Sequence, residues 1–242
     1  EDLETDHIDA VKAFTQADVD ADIWVDMPKG FEIEGHALHL LKALEGIKQG
    51  AYLWFQLNKG AWTKLGFKSW MNEPNLYHHV ELNIRVGIFA DDALAGFHIK
   101  VQGEYKAIKG EYGKLINIGT TEISPALKFT GVQIERNRAR RTTKISQPRY
   151  IEQMASEYEK EIESHDCPYD TSVEGRKHFN MLVPAKEGEP QFDRGLYLKI
   201  CGKIIWPSTM SRPDISMAAA SLCSCVHAPT PNHYKYALWV VG

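Results

Sequence analysis

Apolar positions near the start of the chain come in short runs: Leu3, Ile8, Val11 and Phe14, then Ile23-Trp24-Val25 ahead of Pro28-Lys29-Gly30. Such runs, punctuated by turn residues, predict a strand ending near Asp9, a short helical or looped excursion and a second short strand. Leu38 to Leu41 predicts another strand. Gly46 to Gly50 breaks the chain before Tyr52, Phe55, Trp62 and Leu65, which recur at roughly helical spacing, with Gly66 as the stop. From Tyr77 to Phe97 the texture is extended. Ile84, Val86, Ile88 and Phe89 precede Asp91-Asp92 and Ala93 to Phe97 follow, the pattern of a hairpin with an acidic tip.

Val101, Tyr105, Ile108, Tyr112 and Leu115 alternate four and three residues apart, the spacing of an amphipathic helix. Ala126 to Ile134 and Thr142 to Ile145 predict an extended pair. Ser146 as N-cap and Pro148 just inside predict a helix facing inward through Ile151, Met154 and Tyr158. Residues 163–192, rich in Gly, Pro, Asp and Glu, read as a long surface connection or an insertion. Leu196, Ile200 and Ile204 predict a helix broken by Pro207 or, at the latest, by Arg212-Pro213. A second is expected over Ile215 to Val226 and a third from about Asn232. No internal repeat is present.

Composition narrows the class. With 242 residues, 43% apolar and 25% charged, the chain has material for one sizeable core or two modest ones, which excludes a disordered tail. No apolar run approaches the roughly 18–20 residues that cross a bilayer. The acidic opening (Glu1, Asp2, Glu4, Asp6) is unlike a signal peptide, so a soluble interior protein is expected. Cys167, Cys201, Cys223 and Cys225 lack paired metal-binding spacing and read as reduced thiols. Net charge −4 hides an asymmetry. Residues 1–35 hold eleven acids against Lys12 and Lys29, whereas Lys128, Arg136, Arg138, Arg140, Arg141, Lys144 and Arg149 face only Glu135 between 128 and 149.

Asp91-Asp92 taken alone reads as a solvated turn. Asp9, the acidic end of another strand about 80 residues upstream, changes that reading. Carboxylates at neighbouring strand ends suit hard divalent cations and phosphoryl transfer, which points to a palm-type nucleotidyl transferase. Phe14 taken alone is an ordinary core aromatic, and the basic run either an exposed charged hairpin or a phosphate-contacting patch.

Eight segments then resemble those of one family in the same order along nearly the whole chain. Asp9-Ala-Val-Lys-Ala-Phe14 with Asp18 to Phe31 resembles the first palm motif of copia-type (Pseudoviridae) LTR retrotransposon reverse transcriptases. Leu40 to Gln49 followed by Trp54-Phe55 resembles the family's LYGLKQ stretch, Lys64 to Phe67 its LGF, and Phe89-Ala-Asp-Asp92 its YVDD box. Phe129 to Ile134, Ile145 to Ile151, Ser211 to Ile215 and Pro229 to His233 resemble its four later motifs.

The resemblance implies the RNA-dependent DNA polymerase region of a Gag-Pol polyprotein. Its fold would be α+β: a right-hand polymerase with an antiparallel palm sheet and helices, partial fingers and a mostly helical thumb. Residues 1–135 would be palm with partial fingers, the fingers portion at about 30–52, and 136–242 thumb and the beginning of the connection. N-terminal fingers and RNase H would lie outside this chain. Asp9, Asp91 and Asp92 would be catalytic and, with the backbone of Ala10, would hold two Mg²⁺ ions, Mn²⁺ being the substitute. Phe14 and Gln49 would bind the nucleotide, Phe14 by excluding a ribose 2′-OH. Phe129, Thr130 and Gly131 would form the primer grip. Lys128, Arg136, Arg138, Arg140, Arg141 and Lys144 would contact template–primer phosphates.

Implied partners are an RNA or DNA template with primer, deoxynucleoside triphosphates and the RNase H and integrase of the polyprotein, with no membrane. Implied compartments are cytoplasmic particles and, secondarily, the nucleus. Glu45 in place of the family's tyrosine, Ala90 in place of valine and Gly50-Ala51 in place of proline depart from the pattern. They keep a second reading open: a catalytically inactive retrotransposon remnant acting as a nucleic-acid-binding or structural module.

Overall fold

The computed structural model describes residues 3–119, 123–165, 167–168 and 182–242. Two compact units divide at Thr130/Gly131. Residues 166 and 169–181 of the 163–192 connection expected from composition lie outside the described residues.

The first unit is built on a five-stranded antiparallel sheet of order β1-β7-β6-β5-β4. Its strands are β1 (Leu3–Asp9), β4 (Lys68–Ser69), β5 (Leu76–His79), β6 (Ile84–Phe89) and β7 (Asp92–His98). A separate two-stranded ladder joins β2 (Trp24–Val25) to β3 (Leu38–His39), so the strand expected to reach Leu41 is shorter. Helices α1 (Gly50–Lys64) and α2 (Gln102–Leu115) form where the apolar spacing predicts them, but α1 buries Trp54, Ala61 and Trp62 and leaves Tyr52 exposed. Side chains alternate across a strand, so each strand of the sheet has an inner and an outer row. The inner row of β1 and β7 is Asp6, Ile8, Ala93, Ala95 and Phe97, all buried. It packs in one core with Trp54, Ala61 and Trp62 of α1 and Tyr105 and Tyr112 of α2, where the Phe97 and Tyr105 rings stack 3.9 Å apart. The outer row carries His7, Asp9 and Asp92.

Buried among these apolar groups, Asp6 is the exception on the inner row. Its Oδ2 accepts from the Tyr105 hydroxyl and from Lys109 Nζ, each at 2.6 Å, while Oδ1 has no partner among the described residues. This network ties β1 to α2 three residues before Asp9.

The chain leaves β8 (Ala126–Phe129) through Thr130 and Gly131, both with positive φ (47° and 79°), the signature of a two-residue primed hairpin turn. The second unit starts with β9 (Val132–Asn137) and β10 (Thr142–Ser146), an antiparallel hairpin, then α3 (Pro148–Glu157). Ser146 ends β10 and does not cap α3. Gln147 occupies the cap position without a side-chain cap bond, buried, its Oε1 accepting from Ser211 Oγ at 2.8 Å.

Helix α4 runs unbroken over Arg194–Met210, so Pro207 does not end it. A proline inside a helix removes one N–H and orphans the carbonyl four residues before it. Here that carbonyl, Lys203 O, accepts the Tyr150 hydroxyl at 3.0 Å, and the Tyr150 ring stands edge-on to Trp206. Helices α5 (Ser216–Cys223), preceded by a 3₁₀ turn at Pro213–Ile215, and α6 (Pro231–Val241) complete the unit. Its core gathers Met154, Tyr158, Tyr197, Ile200, Ile204 and Leu222. The mixture of antiparallel sheet and helices is the α+β class expected from the sequence.

Candidate active site at the β1–β7 sheet end

Antiparallel register brings the acidic residues together. Asp9, the last residue of β1, stands directly opposite Asp92, the first of β7. Phe89 pairs with Asp92, so Ala90 and Asp91 form the two-residue loop between β6 and β7. The tip of the hairpin is therefore Ala90-Asp91, and Asp92 already belongs to the ladder. Ala90 takes a positive φ of 54°. The loop is fixed from two sides. Asp91 O accepts the Ala10 N–H at 3.0 Å, and Ala90 O accepts the Trp54 indole N–H at 2.7 Å. Asp9 O in turn accepts from Gly119 N at 2.8 Å.

Asp9 and Asp91 are exposed, whereas Asp92 is engaged at both oxygens. His7 Nε2 lies 2.7 Å from Oδ1, and Thr130 N donates to Oδ2 at 3.3 Å. A carboxylate can only accept, so His7 carries its proton on Nε2 in this contact. The His7 ring also meets Phe129 edge-on at 6.3 Å.

Among the described residues no three acidic, histidine or cysteine side chains converge as a metal centre. The donor set fits divalent ions in kind. It consists of oxygen donors only, two of them on facing strand ends and the third in the adjoining loop, the ligand chemistry that Mg²⁺ selects. The side-chain arrangement differs from a closed cage because Asp92 is turned to His7 and Thr130.

The remaining predicted residues distribute as follows. Phe14 sits in a 3₁₀ turn, Ala13–Gln16, entered through Lys12 at φ 51°. It is half-buried and, with Ala51, Tyr52, Trp54, Tyr77 and Ala90, lines a cavity of about 400 Å³. Gln49 is the N-cap residue of α1, its carbonyl accepting from Leu53 N at 2.9 Å. Phe129 and Thr130 close the first unit beside Asp92, and Gly131 opens the second. Lys128 is exposed on β8 of the first unit. In the second unit, Arg136 and Lys144 lie on the β9–β10 hairpin and Arg138, Arg140 and Arg141 at its exposed tip. That tip is closed by the Arg141 N to Arg138 O bond at 3.1 Å. Two neighbours of the candidate site escape a reading of the sequence: His7, whose only signal is its place on the Asp9 face of β1, and Trp54, whose indole holds the acidic loop.

A reverse transcriptase (RNA-dependent DNA polymerase) family model matches residues 1–166, so the chain belongs to the reverse transcriptase family. Over 248 aligned residues it is 24% identical to the retrovirus-related Pol polyprotein from transposon TNT 1-94 of Nicotiana tabacum. That alignment takes in 99% of this chain and 18% of the polyprotein. Both matches agree with the copia-type resemblance carried by the motifs. No helix among the described residues is long and apolar enough to cross a membrane.

Proposed function

We propose that this chain is the polymerase region of a copia-type retrotransposon Pol polyprotein and catalyses RNA-directed DNA synthesis. The first unit, with part of the second, serves as palm and partial fingers, and the helical remainder as thumb. Asp9, Asp91 and Asp92 hold the two divalent ions, assisted by the backbone of Ala10. Such ions, when bound, activate a primer 3′-OH and neutralise charge on the departing pyrophosphate. Phe14 packs beneath the incoming sugar and excludes ribonucleotides, with Gln49 beside the base. Phe129 to Gly131 receive the primer end, where the turn lets backbone approach the nucleic acid. Lys128 and the β9–β10 arm neutralise template–primer phosphates. The substrates are deoxynucleoside triphosphates on a primed template, and the covalent partners are the RNase H and integrase of a longer polyprotein.

The observation that carries this reading is the Asp9–Asp92 pairing across β1 and β7 with Asp91 in the adjoining loop. The test is extension of a primed RNA template with Mg²⁺. Wild-type chain extends the primer, and Asp91→Asn with Asp92→Asn abolishes extension. Unchanged extension by the double variant overturns the assignment. Phe14→Ala is expected to admit ribonucleotides while deoxynucleotide incorporation persists.

A further inference from the structure

Resting on the reading that Asp92 ligates a cation, we infer that His7 is a positioning residue that fastens Asp92 to the Phe129–Thr130 turn. Two contacts converge on one carboxylate. His7 and Asp9 project from the outer face of β1, two residues and so about 6.7 Å apart along the strand. The Nε2 of His7 sits 2.7 Å from Asp92 Oδ1. Thr130 N–H donates to the other oxygen at 3.3 Å, which fixes the carboxylate plane from both sides. The imidazole is itself steadied edge-on against Phe129. His7 and Asp92 are each about a quarter exposed and lie outside the apolar core, so the contact does not serve packing.

Each carboxylate oxygen has two lone pairs, and one hydrogen bond at each leaves a lone pair on each for a cation. Hydrogen-bonding partners of this kind orient metal-binding carboxylates, and their loss typically lowers metal affinity about 10–100-fold. The same carboxylate is shared with the Phe129–Thr130 turn, so cation affinity and the conformation of that turn are linked through His7.

The test is Mn²⁺ binding to the 242-residue chain, read from the loss of the free-ion signal in electron paramagnetic resonance. Asp9→Asn is expected to remove saturable binding. His7→Ala is expected to raise the Kd about tenfold, and His7→Gln, whose amide N–H can reach the same oxygen, to recover most of that loss. If Asp9→Asn binds like wild type, the assignment of the ion site fails and takes this inference with it. If Asp9→Asn loses binding but His7→Ala stays within about twofold of wild type, the ion site stands and the inference is overturned. Equal weakening by Ala and Gln also overturns it, because hydrogen-bond donation is then irrelevant.

A second measurement needs no His7 substitution. In ¹⁵N-labelled wild type, the His7 ring is expected to show a proton on Nε2 and to shift on saturation with Mg²⁺. An Nδ1-protonated ring, or ring signals indifferent to Mg²⁺, overturns the inference.

Discussion

Replacing Lys109 by Met strips the countercharge from a fully buried carboxylate. Asp6 has no exposure, and its Oδ2 is held by Lys109 and Tyr105 at 2.6 Å each. Met preserves most of the aliphatic stem, so cavity formation contributes little and the loss is electrostatic. Removing one partner of a buried ion pair costs about 3–5 kcal/mol, because the remaining charge is left desolvated. The Tyr105 hydrogen bond survives, which places the expected loss near the lower end, about 3 kcal/mol or about 6–12 °C in melting temperature. Adding Asp6→Asn removes the stranded charge and is expected to recover more than half of the loss. Calorimetry gives the melting temperature. Amide exchange at Ile8 and Ala95 reports whether the opening is in the β1–β7 ladder. A Lys109→Met chain that melts within about 2 °C of wild type refutes the reasoning, since the pair would then be solvated in solution.

Thr130 is a β-branched residue held at φ 47°, so Thr130→Asn, which forms the favoured Asn-Gly turn with Gly131, is expected to raise stability by about 1 kcal/mol by calorimetry. Burial pushes the His233 pKa below the ordinary imidazole value, and neutral Nδ1 accepts the Thr230 N–H at 2.9 Å. The unfolded state therefore takes up a proton first, and this stabilisation of α6 is whole above about pH 6.5 and lost as the pH falls through and below it. His233→Gln, which retains an acceptor without a titrating ring, is expected to flatten that part of the melting-temperature profile between pH 7 and 5. The neighbouring Cys201 thiol holds the Cys223 pKa below the ordinary thiol value. Iodoacetamide alkylation of Cys223, followed by mass spectrometry, is expected to rise with a midpoint below that of an ordinary thiol, and Cys201→Ala to shift the midpoint upward.

What the sequence disclosed and what it concealed divide along one physical line, the distance over which a signal is written. Helices α1 and α2 are legible because apolar residues recur within a few positions in each, although the buried face of α1 is set by Trp54 and Trp62 while Tyr52 is exposed. The acidic hairpin is legible for the same reason, and Asp9 joins it through motif order. The continuity of α4 is not, because the group that rescues the orphaned Lys203 carbonyl is Tyr150, more than fifty residues away. The α6 cap was hidden in residue type: His233 takes the place usually held by Glu or Gln, and its ability to accept depends on its tautomer. His7 and Asp92 are separated by 85 positions and meet only through the antiparallel register of β1 with β7.

That register has a consequence for the site itself. A one-residue slip would exchange the rows, turning Asp9 and His7 inward and bringing Asp6 out to solvent. The Asp6–Tyr105–Lys109 network opposes that slip, since it would leave Lys109 and the Tyr105 hydroxyl without their shared acceptor. A buried ion pair adds little net stability over apolar packing, but separating its partners costs about 3–5 kcal/mol, which opposes the slipped register. The inner carboxylate thus fixes which face of β1 presents the outer ones, and the geometry at Asp9 and Asp92 depends on a residue that never touches them.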